Sequence, residues 1–459
     1  MSRPASVDVA LRRALGLFET AGISVAMMAP TAAMALNGAL AASFAGPAVP
    51  LAFILAFATI ACVAFAFVTF ARVYASPASV GEFNARGLGP FAGRLSGWSL
   101  LLVYVLFTAG SAAEFGAFAA ASFAYGGMNI AWTPLALACI VVVAYVGTRP
   151  ARTSSRAMLV IEGVSVAAIV VLSAVILARG GAHGVSLAAL GPGGTTITGL
   201  GLATVFALLS FAGFEGAAVL GAESLDPTRT IPRALIASVA LAGVLYVFVA
   251  FAQSIGFGLD ARGVAAFAAS ASPLGDLAVR YANVPFAALI MGGAAISAFA
   301  ATLASAAGAA RLTFVFARDA RLPAALGRVD STSGTPVRAY LAVLVIATVI
   351  AIAFALSHVS GTDTFGACGT IAVLALVLIY GAVQIAALRL FAKRWNIAQR
   401  VIPIVALASL LLTFGANVFP IPSGPPALYP YLVLAWLIVG AILLRARSLP
   451  SEATAAPDA

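Results

Sequence analysis

The sequence predicts an all-α polytopic membrane protein, and three observations support this class. First, 63% of the 459 residues are hydrophobic and only 9% are charged, whereas a soluble domain carries about 25% charged residues. Second, apolar runs of roughly 20 residues recur along the chain, which is the length of a membrane-crossing helix and twice that of a barrel strand. Third, no interval between these runs is long enough to form a sizeable soluble domain.

Hydropathy divides the chain into twelve predicted spans, numbered 1 to 12 in chain order. They are Leu17–Phe44, Leu51–Ala75, Phe91–Ala124, Trp132–Val146, Ala157–Ala178, Ile197–Leu220, Ala234–Gly258, Pro285–Phe316, Ala339–Leu356, Phe365–Phe391, Val401–Phe419 and Leu428–Leu444. Spans 1, 3, 8 and 10 exceed ~20 residues, so we expect them to be tilted or interrupted.

The distribution of basic residues predicts the orientation. If the amino terminus is cytoplasmic, only Arg179, Arg262 and Arg280 of the 25 Lys and Arg residues fall in outer loops. This positive-inside pattern predicts an even number of crossings, with cytoplasmic tails at 1–16 and 445–459. The net charge of +10 is thereby explained by topology. It predicts no nucleic-acid partner, which would require the charges on one folded surface.

The sequence predicts no metal and no cofactor. The three cysteines, Cys62, Cys139 and Cys368, all fall in predicted spans, which argues against a disulfide framework and against a zinc site. The two histidines, His183 and His358, lie in separate loops. A membrane-embedded enzyme would need His, Asp or Lys clustered within the spans, and a channel would need a repeated pore motif. Neither pattern is present, so we expect no enzymatic activity.

Two spans contain helix-breaking residues. Span 1 has Pro30 in mid-span, and because proline lacks an amide hydrogen and clashes one turn back, the helix must kink or open around residues 26–30. Span 6 reads SFAGFEG, with Gly213 and Gly216 flanking the acidic Glu215. Five helices separate the two breaks, so each opens one half of a ten-helix unit. Paired interruptions of this kind indicate the binding site of a secondary transporter.

Broken helices predict a site for a small charged solute. In a membrane, free peptide groups are tolerated only where they line a cavity or bind something. The amides of Thr31–Ala33 stand at a helix amino terminus and would suit a carboxylate, whereas carbonyls at 26–28 and 210–212 would suit an ammonium group. The residues predicted to bind substrate are Ala26, Met27, Met28, Ala29, Pro30, Thr31, Ala32, Ala33, Ser210, Phe211, Ala212 and Gly213.

Three sequence blocks resemble those of one transporter superfamily. They are GFEGAAVLGAESLDPTRTIPRA at 213–234, RLTFVFARDARLPAALGRVDSTSGTP at 311–336 and GLGPFAGRLSGW at 87–98. Together they are similar to the helix 6–7, helix 8–9 and helix 3 signatures of the amino acid–polyamine–organocation (APC) superfamily of permeases, amino acid transporter branch.

The resemblance implies a LeuT-like fold of five plus five inverted helices with helices 1 and 6 broken. The implied transport core is 17–391, with repeats at about 17–178 and 197–391, followed by two further helices at 401–444. It also implies transport of amino acids or related amines, by proton coupling or exchange. Two features depart from the family pattern. The break in span 1 is centred on proline rather than on glycine, and span 5 lacks the lysine of some proton-coupled members.

Three carboxyl groups within the spans are candidates for proton coupling, because an ionisable residue inside a membrane is a functional-site hypothesis by default. Glu215 lies just past the break in span 6, Glu162 lies midway along span 5, and Glu114 lies in span 3. Structural alternatives remain open for each: Glu215 could cap the broken helix, and Glu162 or Glu114 could bond a neighbouring helix. In span 8, Ser297, Thr302 or Ser305 could add a polar contact.

The sequence therefore predicts a secondary active transporter that moves an amino acid or related small amine by alternating access, with the proton as expected coupling ion. The alternative is a polyamine or ethanolamine permease, or an amino acid/amine exchanger. An acidic residue free at the side-chain end of the site would favour an amine. Lys393 is the only lysine in a chain rich in Arg and Ala, which is typical of a GC-rich bacterial genome and favours the bacterial inner membrane as the location.

Overall fold

The structure, a computed structural model, describes residues 16–74, 80–148, 154–220, 224–330 and 335–445. These residues form sixteen α-helices joined by turns and short 3₁₀ segments. The helices are α1 (Leu17–Met28), α2 (Pro30–Ala45), α3 (Val49–Val73), α4 (Val80–Leu88), α5 (Pro90–Tyr125), α6 (Trp132–Gly147), α7 (Ser154–Ala178), α8 (Ile197–Ser210), α9 (Pro227–Phe257), α10 (Ala261–Ala269), α11 (Pro273–Tyr281), α12 (Val284–Arg318), α13 (Val337–Leu356), α14 (Gly361–Phe391), α15 (Ile397–Ala416) and α16 (Tyr429–Arg445).

Nine segments of the described residues are long and apolar enough to cross a membrane. One of them, Pro30–Val73, contains both α2 and α3, and two further apolar helices, Trp132–Gly147 and Glu162–Ala178, are shorter. A helix occupies each of the twelve predicted apolar runs. The all-α membrane class predicted from the sequence is therefore confirmed.

Three short helices were not predicted from the sequence. Helices α4, α10 and α11 have nine residues each and lie between apolar runs. Each is short and carries charged residues, such as Glu82 and Arg86 in α4. The mean hydropathy over the ~20 residues that a membrane span needs is therefore too low to reveal them. The tails predicted at 1–16 and 445–459 fall almost entirely outside the described residues.

The longest helix, α5, lies at the centre of the packing. It contacts α4, α6, α12, α13, α14 and α16. Small residues allow these approaches: a Cβ atom added to Gly116 would lie 2.3 Å from the carbonyl oxygen of Trp132 at the start of α6. At the other end of α5, the stacked indoles of Trp98 and Trp436 each donate a hydrogen bond to the other residue's carbonyl, at 3.0 and 2.8 Å. These reciprocal bonds fix α16 against α5.

The contact at Gly116 leads to a stability prediction. Gly116→Ala should lower the free energy of unfolding by about 1–3 kcal/mol, because the added methyl group meets fixed backbone atoms of α6 and forces the helices apart. The control is Gly415→Ala in α15, where an added Cβ meets nothing within 4 Å. Thermal unfolding in detergent should show a lower melting temperature for the first variant alone. Equal behaviour of the two variants would contradict the packing described for α5 and α6.

Candidate functional site

The first predicted span is interrupted at a single residue. Helix α1 ends at Met28, Ala29 has left-handed backbone angles (φ 45°, ψ 60°), and α2 begins at Pro30. A left-handed conformation costs a non-glycine residue about 1–2 kcal/mol. The proline makes continuation of α1 worse still, because its ring would clash with the preceding turn. The break lies inside the interval that the sequence predicted.

The sixth predicted span is interrupted over three residues. Helix α8 ends at Ser210, residues 211–213 form a turn, and the chain continues as a 3₁₀ segment from Phe214 to Leu220. Gly213 has a φ of +100°, a conformation that favours glycine. Helix α8 therefore ends at the first residue of the SFAGFEG motif, and the 3₁₀ segment begins directly after the first glycine of the motif.

The two interruptions face each other. A Cβ atom added to Gly213 would lie 3.0 Å from the carbonyl oxygen of Met27. On one side of the breaks, α1 packs against the 3₁₀ segment, and the Ser24 hydroxyl donates to the Phe214 carbonyl at 2.6 Å. On the other side, α2 packs against α8, and Asn37 Nδ2 donates to Ser210 Oγ at 2.8 Å.

The amides at the start of α2 are already hydrogen-bonded. The Thr31 amide donates to Glu162 Oε1 at 3.0 Å, and the Ala32 amide donates to Ser297 Oγ at 3.3 Å. The Ala33 amide bonds to the carbonyl of Ala29 at 2.9 Å. The sequence prediction left these three groups free for a substrate carboxylate. In this structure protein groups occupy them, because the break brings α7 and α12 within reach of the exposed helix end.

A small cavity lies where the breaks meet. Its volume is about 40 Å³, and since one water molecule needs ~10–15 Å³ by the same measure, it has room for a compact solute. Six residues predicted to bind substrate line it, namely Met27, Met28, Ala29, Ala32, Ala33 and Ala212. The other described lining residues are Asn37, Phe107, Ser111, Glu114, Leu209, Ala301, Ser305 and Phe365.

The polar part of the lining is rich in hydrogen-bond acceptors. Glu114 and Asn37 are almost fully buried, with 2% and 1% of their surfaces exposed, and Glu114 Oε1 and Asn37 Oδ1 have no hydrogen-bond partner. The hydroxyls of Ser111 and Ser305 complete the polar set. No Arg, Lys or His is found among the described residues that line the cavity.

Five of the twelve residues predicted to bind substrate are not among the described residues that line the cavity. They are Pro30, Thr31, Ser210, Phe211 and Gly213. The side chain of Ala26, which was also predicted to bind substrate, lies outside the part of the chain that the structure describes. Phe211, considered for its position beside the break, is fully buried. Its ring stacks on Phe57 at 6.3 Å and meets Tyr246 edge-on at 5.0 Å. Aromatic surface reaches the cavity from Phe107 and Phe365 instead.

The three candidate carboxyl groups have different surroundings. Glu162, on α7, accepts the Thr31 amide at the start of α2. Glu215 Oε2 accepts the Gly213 amide at 3.2 Å and the Tyr380 hydroxyl at 2.9 Å, so it bridges the break in span 6 to α14. Neither residue lines the cavity, whereas Glu114 does.

Sequence reasoning missed most of the lining outside the breaks, although a signal was present. Phe107, Ser111 and Glu114 recur at intervals of four and three residues, which places them on one face of α5. Ala301 and Ser305 share a face of α12 in the same way. Asn37 is a lone amide in an apolar run, and such a residue marks a candidate site in a membrane protein.

The bonds of Glu215 lead to a second prediction. Tyr380→Phe should lower the free energy of unfolding by about 1.5–3 kcal/mol, because a buried carboxyl group loses a hydrogen-bond donor. In a Glu215→Ala background the same change should cost little, since the partner is already gone. Thermal unfolding of the two single variants and the double variant measures this coupling. Fully additive losses would show that the two side chains do not interact.

Comparison with known proteins shows the family to which the chain belongs. A family model described as "Amino acid permease" matches residues 15–443. An uncharacterized transporter from Mycobacterium tuberculosis is 29% identical over 93% of this chain and 91% of its own length. An L-methionine/branched-chain amino acid exporter from Escherichia coli is 30% identical over 51% of this chain and 55% of its own. A methylthioribose transporter from Bacillus subtilis is 27% identical over 72% of this chain and 73% of its own length.

The family match covers nearly the whole chain, including both interrupted helices and every residue that lines the cavity. The match and the apolar helices together make this a multi-pass bacterial membrane transporter rather than an enzyme. The chain belongs to the amino acid permease family, within the APC superfamily.

Proposed function

We propose that this protein is a secondary active transporter that moves an amino acid or a related small amine across the bacterial inner membrane. Substrate binds in the cavity between the two helix breaks, and access alternates between the two membrane faces. Two relatives named for amino acid transport, the Escherichia coli exporter and a branched-chain amino acid permease from Lactococcus lactis, support the substrate class. The methylthioribose transporter indicates that related chains also carry other small solutes.

One observation supports this proposal above the others, which is the placement of the cavity. It touches the last turn of α1, the start of α2 and the turn after α8. Irregular backbone inside a membrane is tolerated where it lines a cavity. Discontinuous helices that meet at a small polar cavity are the arrangement by which secondary transporters hold substrate.

The proposed architecture follows from the same breaks. We assign twelve crossings, with inverted repeats at about 17–178 and 197–391, two further helices at 401–444 and both termini in the cytoplasm. In this assignment α1 and α2 form one broken crossing, and α8 with the segment 214–220 forms another. The proposed movement tilts one pair of half-helices against the other around Ala29 and Gly213.

The proton gradient is the proposed driving force. The three candidate carboxyl groups differ in the part of the site that their protonation would affect. Glu162 holds the amide at the start of α2, so a change in its charge acts directly on the hinge at Ala29. Glu215 holds the other break to α14. Glu114 is in the cavity itself. We favour Glu162 as the coupling group because protonation would weaken its bond to the amide and release α2.

This assignment is tested in proteoliposomes with an imposed pH gradient. Glu162→Gln should abolish gradient-driven accumulation of substrate while substrate exchange continues. The side-chain oxygen of the glutamine can still accept the hydrogen bond from the Thr31 backbone amide, but the glutamine cannot gain or lose a proton. Glu215→Gln makes the same chemical change at the other break and should retain accumulation. The matched surface control is Glu82→Gln in α4, at a salt bridge to Arg86.

If Glu162→Gln retains substrate accumulation, the coupling group is a residue other than Glu162. If Glu215→Gln loses accumulation, the coupling group is Glu215. Wild-type protein that neither accumulates nor exchanges any amino acid or small amine would contradict the proposed function as a whole.

A further inference from the structure

Two residues that line the cavity at the helix breaks, Glu114 and Asn37, have acceptor oxygens without partners, and the described lining residues include no basic side chain. From this imbalance we infer that the site is built for a small organic ammonium ion without a carboxylate, such as a short primary amine or amino alcohol. The inference rests on the proposed transport function and specifies its substrate class.

The orientation of Asn37 is fixed by its neighbours. Ser210 Oγ lies 3.2 Å from the Phe206 carbonyl, to which it donates its only hydrogen. The same oxygen must therefore accept from Asn37, which requires the amide nitrogen of Asn37 at 2.8 Å. The remaining oxygen, Oδ1, is left without a partner in a residue that lines the cavity.

Glu114 supplies the second unpartnered oxygen and the only formal charge among the described lining residues. A buried acceptor without a donor is costly, and a buried carboxylate more so, unless a ligand supplies the hydrogen bonds and the opposite charge. An ammonium group supplies both, with three N–H donors and one positive charge.

The net charge of the occupied cavity distinguishes an amine ligand from an amino acid ligand. When Glu114 is ionised, an ammonium ion beside it makes the cavity neutral, whereas a zwitterion leaves the cavity with one net negative charge. The carboxylate of a zwitterion would also need donors, and the amides at the start of α2 are committed to Glu162, to Ser297 and to the helix itself. The hydroxyls of Ser111 and Ser305 are neutral and do not balance that charge.

Cavity size limits the length of the ligand. A volume of about 40 Å³ corresponds to roughly three water molecules at ~10–15 Å³ each. A compact monoamine is closer to this volume than an extended polyamine. The apolar lining from Met27, Phe107 and Phe365 suits a short alkyl group.

The test compares amino acids with the amines that share their side chains. L-serine and ethanolamine, L-alanine and ethylamine, and L-valine and isobutylamine each differ only by the carboxylate. Thermal shifts of the purified full-length protein give an apparent affinity for each compound, because a ligand that binds the folded state raises its stability. In at least one pair the amine should bind about tenfold or more tightly than its amino acid, and in no pair should the order reverse.

The Glu114→Gln variant should lower amine affinity by at least about tenfold, since a charge-assisted hydrogen bond is lost. Glu82→Gln should leave it unchanged. If Glu114→Gln does not fold, uptake of radiolabelled ethanolamine, ethylamine and isobutylamine by wild-type proteoliposomes, with the paired amino acids as competitors, gives the same comparison.

Tighter binding of the amino acids, or amine binding unaffected by Glu114→Gln, would overturn the inferred substrate class. Transport of amino acids alone would overturn it too, while the proposed transport function would stand. If none of these six compounds is bound or transported, the inferred substrate class is overturned. The proposed transport function is rejected only if the other amino acids and small amines are not transported either.

Discussion

The need to give every buried peptide group a hydrogen-bond partner governs this structure. Two membrane helices are cut, and each cut exposes amides and carbonyls where no bulk water is available to satisfy them. Side chains take over this role: Glu162 and Ser297, on neighbouring helices, accept the amides of α2, and Glu215, in the segment after the second break, accepts the amide of Gly213. An unsatisfied group in this setting costs a few kcal/mol. The breaks are therefore stable because α7, α12 and α14 are placed to support them.

Two further hydrogen bonds join the half-helices into two pairs. Ser24 ties α1 to the segment after the second break, and Asn37 ties α2 to α8. Between these pairs the chain passes through Ala29 and Gly213, both with left-handed or positive-φ backbone. Large backbone changes are absorbed most readily at a few terminal residues of helices. The hydrogen bonds thus hold the half-helices together in pairs, and the breaks are the hinges of the proposed movement.

The class, the helices and the positions of the breaks could be predicted because they depend on local properties. Hydropathy locates the apolar runs, Pro30 cannot continue a helix, and Gly213 permits a positive φ. The partners of the exposed peptide groups could not be predicted, because Glu162 and Thr31 are 131 residues apart in the chain. The sequence identified three buried carboxyl groups as equivalent candidates. Only the tertiary packing shows that Glu162 and Glu215 are hydrogen-bonded, whereas Glu114 Oε1 has no partner.

The three carboxyl groups differ in their hydrogen-bond partners and not in their burial. Glu114, Glu162 and Glu215 are all at least 90% shielded from solvent, so desolvation penalises the charge of each. Glu162 and Glu215 recover part of that penalty from bonds to the peptide groups of the breaks, so replacing either with a side chain that cannot accept these bonds should destabilise the fold. Glu114 Oε1 has no such bond. A buried acceptor without a protein partner, on a residue that lines the cavity, is the observation on which the inferred ammonium substrate rests.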